Sequence, residues 1–132
     1  MKSTALDPMK LEGVKVLDLS MFLPGPHLTM MMSDHGAQVI RVEPLAGEPT
    51  RTLGARQHGQ GVWFSNTHRG KQSVVLDLKQ PSAVQAFMRL AEQADVAIES
   101  FRPGVADRLG VGAAALRSTR WRAAARSAEP GI

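Results

Sequence analysis

Cysteine is missing from all 132 residues, which excludes a disulfide framework, a thiolate nucleophile and a cysteine-ligated zinc site. No apolar run is long enough to cross a bilayer. The opening stretch Met1-Lys2-Ser3-Thr4-Ala5-Leu6-Asp7-Pro8 lacks the apolar core of a secretory leader. These absences together make a soluble, cytoplasmic protein without a membrane partner the expectation. No solenoid-period repeat is present. The four histidines, His27, His35, His58 and His68, show no metal-ligand spacing and read as surface or loop residues. A Gly-x-Ser-x-Gly elbow is also lacking, so a serine hydrolase has no support.

What is present suits one folded domain: 43% hydrophobic and 21% charged residues in a chain too short for two well-packed units. The net charge of +4 sits mostly in the tail, where Arg117, Arg120, Arg122 and Arg126 face only Glu129. Over residues 1–112 the signs are interspersed and nearly balanced, and no basic face interleaved with aromatics is visible. A nucleic-acid partner is therefore not expected.

Short apolar runs alternate with helix-length segments from Leu11 to Gly110. Val14 to Leu19 reads as a mostly buried strand, followed by a loop from Ser20 to Pro26 with Pro24-Gly25-Pro26 as a breaker. His27 to His35 reads as a helix capped by Gly36, with Met30, Met31 and Met32 as core-filling residues, and Gln38 to Val42 as a second strand. Short connections favour parallel pairing with a right-handed crossover. Pro44 to Gly61 is long and without periodicity, as in loops that cover a site. After Val62-Trp63-Phe64 and a polar, basic turn from Asn66 to Lys71 come a third strand, Ser73 to Asp77, and a helix opened by Gln80-Pro81 and running to about Gln93. Val84, Phe87, Met88 and Ala91 share one face of that helix. A fourth strand, Val96 to Glu99, and a short helix, Val105 to Leu109 ending at Gly110, complete an α/β rhythm. The Ala/Arg-rich stretch from Ala113 to Ile132 reads as a helix to about Ala125 and offers no apolar run for a further buried strand.

Ligands of α/β sheets bind beyond the C-terminal strand ends. Here those ends carry Leu19-Ser20 to Pro26, Glu43-Pro44 and Ser100-Phe101-Arg102-Pro103. A dinucleotide site with Glu43 as ribose partner would need a Gly-x-Gly-x-x-Gly turn after the first strand, and Phe22-Leu23-Pro24-Gly25-Pro26 stands there instead. Asp18 and Asp77 read as strand-end carboxylates bonded to backbone, and Lys71 and Arg108, from composition alone, as solvated charges.

The assembled blocks point further. Leu11-Glu12-Gly13-Val14-Lys15-Val16-Leu17-Asp18-Leu19, then Pro24-Gly25-Pro26, then Gly36 to Pro44, resemble the opening of the family III CoA-transferases, a group that includes the α-methylacyl-CoA racemases. Gly47-Glu48-Pro49-Thr50-Arg51, Asn66 to Lys71, Ser73 to Lys79, Ala94 to Gly104 and Asp107-Arg108-Leu109-Gly110 continue the resemblance, which covers about residues 11–112.

The resemblance implies a Rossmann-like parallel sheet with flanking helices, an incomplete large domain of a CoA-transferase. Residues 1–112 would be the N-terminal part of the CoA-binding domain, and residues 113–132 a frame-shifted or non-native tail. It implies that coenzyme A or its thioester, a substrate rather than a prosthetic group, is held by Phe22, Leu23, Pro24, Pro44, Lys71, Ser100, Phe101 and Arg108. Lys71 and Arg108 would neutralise phosphates, and Phe101 would offer an apolar face. Relatives that carry arginine where Pro44 stands would make one more phosphate contact. The family's nucleophilic aspartate, which passes through an aspartyl-CoA intermediate as CoA moves from an acyl-CoA donor to a carboxylic acid, lies downstream of the matched blocks. No catalytic residue and no metal is therefore expected in this chain. Its partners would be a second copy or a full-length relative, and a non-catalytic CoA-binding or assembly module and a racemase fragment stand as alternatives.

Overall fold

Residues of alternating character make the two faces of one parallel sheet. The computed structural model describes residues 7–119 and the backbone of residues 125–126. In chain order the elements are β1 (Lys15–Asp18), α1 (Pro24–Asp34), β2 (Gln38–Glu43), a 3-10 turn (Pro49–Arg51), β3 (Arg56–Gln57), β4 (Gln60–Gly61), α2 (Val62–Thr67), β5 (Gln72–Val75), α3 (Pro81–Ala91), β6 (Val96–Glu99), α4 (Val105–Arg108), α5 (Ala113–Ser118) and β7 (Ala125–Arg126). The main sheet runs β5-β2-β1-β6-β7, every pair parallel, and β3 with β4 forms a separate hairpin. This is the Rossmann-like α/β architecture that the family resemblance implies.

Because side chains alternate across a strand, Leu17 and Leu19 of the β1 segment share a face with Ile40 and Val42, Val74 and Leu76, and Ala97. That face packs on Phe87 and Ala91 of α3, on Val111 and on Leu116 of α5. Val84 and Met88 pack against the same cluster, so the apolar stripe of α3 lies where its spacing puts it. Phe87 is fully buried, and burial of such a ring contributes about 1.5–3 kcal/mol. On the other face Val16, Val39 and Ile98 form a second, smaller cluster with Ala37, Met32 and Leu11.

Several boundaries differ from the sequence reading, each for a physical reason. Helix α1 begins at Pro24, so Pro24-Gly25-Pro26 is its first turn and not a breaker. The first amides of a helix have no intrahelical acceptor, which makes proline harmless there. Of the three methionines, Met30 is buried but Met31 is 41% exposed, since successive helical positions cannot share one face. The long segment after Pro44 holds a 3-10 turn and a tight hairpin, with His58 and Gly59 at φ 52° and 81° as a two-residue turn of the primed kind requires. Val62-Trp63-Phe64 opens helix α2. The tail helix stops at Ser118, well short of Ala125, and Leu116 brings α5 into the core. Beyond it, residues 125–126 pair with Ile98 and Glu99 in parallel. Sheet pairing is made by backbone groups that every such residue carries, so no apolar run need announce it.

Candidate functional site at the C-terminal strand ends

The α1-side face changes character along the strands. One alternation beyond Val16 and Val39 come Asp18 and Arg41, then Glu43, all buried. Parallel strands covered on both faces are normally apolar throughout, so this buried charge marks the C-terminal half of the sheet as the unusual region. Asp18 accepts hydrogen bonds from the Ser20 amide (2.9 Å) and hydroxyl, from the Thr29 hydroxyl (2.6 Å) and from Lys71 Nζ (3.1 Å). Arg41 Nη1 lies 3.6 Å from its Oδ1 and donates to its carbonyl at 3.1 Å. Burial opposes the Asp18 charge, yet Lys71, Arg41 and the two hydroxyls outweigh it and hold the carboxyl below its ordinary range. Gly25 is required opposite this cluster, because a Cβ there would overlap the Ser20 side chain.

Two further carboxylates follow. Glu43 receives Arg51 through Nε (2.8 Å) and Nη2 (2.6 Å), Ser73 Oγ (2.6 Å) and the Glu48 amide (2.9 Å). Against the cost of burial, these donors lower Glu43 to about 2. The guanidinium of Arg51 also lies 3.9 Å above the Phe64 ring, a cation–π contact. Glu48 accepts the Thr50 amide (2.8 Å) and hydroxyl on Oε2, and the Phe22 amide (2.9 Å) on Oε1. Phe22 itself is left-handed, at φ 66°.

His68 ends α2 with its ring stacked on Phe64, the centroids 4.2 Å apart. Its Nδ1 lies 2.9 Å from the Thr67 hydroxyl and 3.1 Å from the Phe64 carbonyl. Burial first, then the Lys71 and Arg41 charges, push its pKa down to about 4. His68 Nε2 and Arg41 Nε and Nη2 are buried without a hydrogen-bond partner among the described residues.

The expected coenzyme residues fall into two groups. Phe22 and Leu23, 46% and 51% exposed, Pro24, Pro44, Ser100 and Phe101 all lie at the C-terminal ends of the adjacent strands β1, β2 and β6. Two of these loops are tied directly, since the Met21 amide donates to Ser100 Oγ at 2.9 Å. Phe101 is half-buried against the apolar core, and Arg108 is exposed on α4 with its Nη1 close to Gly104. Lys71 stands apart. Its side chain is 1% exposed, held by Asp18 and by the Pro26 carbonyl at 2.9 Å, so it is not a solvated surface charge. Burial lowers its pKa against the pull of Asp18. Likewise Asp18 is the centre of an ionic cluster and not merely a strand-end carboxylate bonded to backbone.

Sequence reasoning missed Arg41, Glu48, Thr50 and Arg51 as a connected network. Their signal was the Gly47-Glu48-Pro49-Thr50-Arg51 block together with an arginine inside an otherwise apolar strand. Pro24 and Pro26 remove two of the first three amides of α1, so a pyrophosphate cradle of the dinucleotide type is not built here. A hollow at the opposite strand ends, lined by Lys15, Gln38, Leu90 and Gln93 among others, has Lys15 as its one ionisable residue. Among the described residues no group of three His, Cys, Asp or Glu is placed to hold a metal ion, and no helix is long and apolar enough to cross a membrane.

Most of this chain is similar to known proteins. The acetyl-CoA:oxalate CoA-transferase of Acetobacter aceti is 44% identical over 100 residues, which is 75% of this chain and 26% of that protein. The human succinyl-CoA:glutarate CoA-transferase is 41% identical over 104 residues, 77% of this chain and 24% of its own. A crystal structure of a hypothetical protein from Mycobacterium tuberculosis superposes with a TM-score of 0.82 at 39% identity, over 89% of this chain and 33% of that one. The chain thus spans about a quarter to a third of the proteins it matches. Residues 11–122 match the family described as CoA-transferase family III, past Gly112 and through α5. The chain belongs to CoA-transferase family III.

Proposed function

We propose that this chain supplies the coenzyme-binding part of an enzyme that moves CoA from an acyl-CoA donor to a carboxylic acid. The observation that carries this reading is the convergence of the β1, β2 and β6 loops at one edge of the sheet, tied together through Met21–Ser100 and Phe22–Glu48. Exposed Phe22 and Leu23, with Pro44 and Phe101, offer apolar surface to the adenine and pantetheine portions. Ser100 keeps a hydroxyl proton for the ligand, because its oxygen accepts from Met21. Arg108 is exposed and neutralises phosphate with its planar fork. Lys71 acts one step back, as the buried counter-ion that holds Asp18 beneath the β1 loop.

In the reaction of the whole enzyme, a carboxylate attacks the thioester carbonyl and expels CoA thiolate, leaving a mixed anhydride. The thiolate then attacks the enzyme's acyl carbon, releasing the donor acid and forming an enzyme thioester. Asp18 is not that nucleophile, since both its oxygens are engaged in a buried cluster. The chain's role is to hold the coenzyme, with the nucleophile supplied by the part of the family fold that follows. The same reading places it in the cytoplasm and pairs it with a second copy or a full-length relative. Exposed Leu28 and Met31 on α1 support such pairing.

Titration calorimetry with coenzyme A tests the reading. The chain is expected to bind CoA and release it unchanged, and Arg108→Ala to weaken binding about tenfold or more, as loss of a charge-assisted contact implies. Equal affinities for the two proteins, or no binding by either, would overturn it.

A further inference from the structure

The acidic residue of the block Gly47-Glu48-Pro49-Thr50-Arg51 is among the most deeply buried side chains of the described residues. Glu48 is 1% exposed, so it cannot touch a coenzyme lying on the strand ends. Its carboxylate instead faces the loop that does. Oε1 accepts the amide of Phe22 at 2.9 Å, and Phe22 is a bulky residue held at φ 66°, a conformation such residues rarely adopt. Among the described residues the other positive-φ residue that is not glycine, His58, sits in a hairpin turn whose geometry requires it. No hairpin explains Phe22.

The hold on Phe22 is itself anchored. Glu48 Oε2 accepts the Thr50 amide at 2.8 Å and the Thr50 hydroxyl. The Glu48 amide donates to Glu43 Oε2 at 2.9 Å, and Glu43 is gripped by Arg51 and by Ser73 of β5. A continuous line of hydrogen bonds therefore runs from the edge strand to the β1–α1 loop. Next to Phe22, the Met21 amide is fixed by Ser100 of the β6 loop, so two successive amides are clamped from two different strand ends.

We propose that Glu48 is the positioning residue of the coenzyme loop: its buried carboxylate holds Phe22 left-handed, and this sets the apolar surface that Phe22 and Leu23 present to the ligand. The proposal rests on the coenzyme reading above, but its structural half can be tested without ligand.

The full chain is labelled with nitrogen-15, and amide hydrogen exchange at Phe22 is measured in the wild type, Glu48→Gln, Glu48→Asp and Glu48→Ala. Coenzyme A affinity is titrated for each in parallel. Gln has one oxygen for two amides, so it can accept from Phe22 or from Thr50 but not from both, whereas Asp keeps both oxygens but is one methylene too short. Protection of Phe22 is expected in the wild type, with exchange at least about tenfold faster in Glu48→Asp and Glu48→Ala, intermediate in Glu48→Gln, and affinity falling about tenfold where protection is lost. Should Glu48→Ala fail to fold, the Gln and Asp variants carry the test. Unchanged Phe22 protection in Glu48→Asp, or affinity unchanged where Phe22 protection is lost, would overturn the proposal. If the wild type binds no coenzyme A, the coenzyme reading fails, and the Phe22 exchange series still decides whether Glu48 sets the loop.

Discussion

The two faces of the sheet use the same strands and differ only in which set of alternating side chains they receive. Toward α3 and α5 the contacts are carbon on carbon: Leu17, Leu19, Val42, Phe87, Ala91, Ala97 and Leu116. Toward α1 and α2 the C-terminal half of the same strands buries Asp18, Arg41 and Glu43, with Glu48 and Lys71 reaching in from the loops. The first face stabilises through area, which is non-directional and tolerant of shape-conserving change. The second holds only while each charge keeps its partner. Tolerant apolar packing and partner-dependent placement of the loops thus lie on opposite sides of one layer.

The largest expected effect comes from swapping near-isosteric residues on each face. Asp18→Asn removes the charge that two buried cations face, and is expected to cost about 3–5 kcal/mol. Leu17→Met on the carbon face is expected to cost less than about 1.5 kcal/mol. Urea unfolding of both variants checks the pair, and equal losses would dissolve the distinction between the faces.

Acidification sharpens it next. His68 titrates near 4 in the folded chain against an ordinary 6.5, so between those values the folded state binds fewer protons than the unfolded one. Its contribution is complete above about pH 6.5 and is lost as pH falls toward 4. Glu43, lowered from 4.5 to about 2, contributes above pH 4.5 and loses that contribution as pH falls toward 2. Urea midpoints measured across this range should decline in two stages, and His68→Gln should remove the upper stage while leaving the lower. A flat wild-type profile from pH 6.5 to 4 would contradict the assignment.

The smallest effect belongs to Arg108→Ala. An exposed residue away from both clusters should change folding stability by no more than about 0.5 kcal/mol. A large loss of stability would show that Arg108 serves the fold and not a ligand.

The carbon face was the legible half of this protein. Four apolar runs, the period of Val84, Phe87, Met88 and Ala91, and the glycines after α1 and α4 reveal strand positions, a helix face and helix ends in the sequence itself. The charged face was not legible, because Asp18 meets Lys71 across 53 positions and Phe22 meets Glu48 across 26. No local pattern encodes such pairings. Composition alone makes Lys71 a surface charge, and only the stagger of β5 against β2 brings its side chain beneath α1. Leu116 shows the reverse error, an Ala/Arg-rich stretch whose single leucine was enough to dock a short helix.

The central claim is that coenzyme A lies across the C-terminal ends of β1, β2 and β6. Amide chemical-shift mapping of the nitrogen-15-labelled chain during titration with coenzyme A tests it most directly. The account predicts that shifts concentrate at Met21, Phe22, Leu23, Ser100, Phe101 and Arg108, while Lys15, Gln38 and Gln93 at the opposite strand ends stay still. Shifts centred on Lys15, Gln38 and Gln93, or none at saturating ligand, would contradict it.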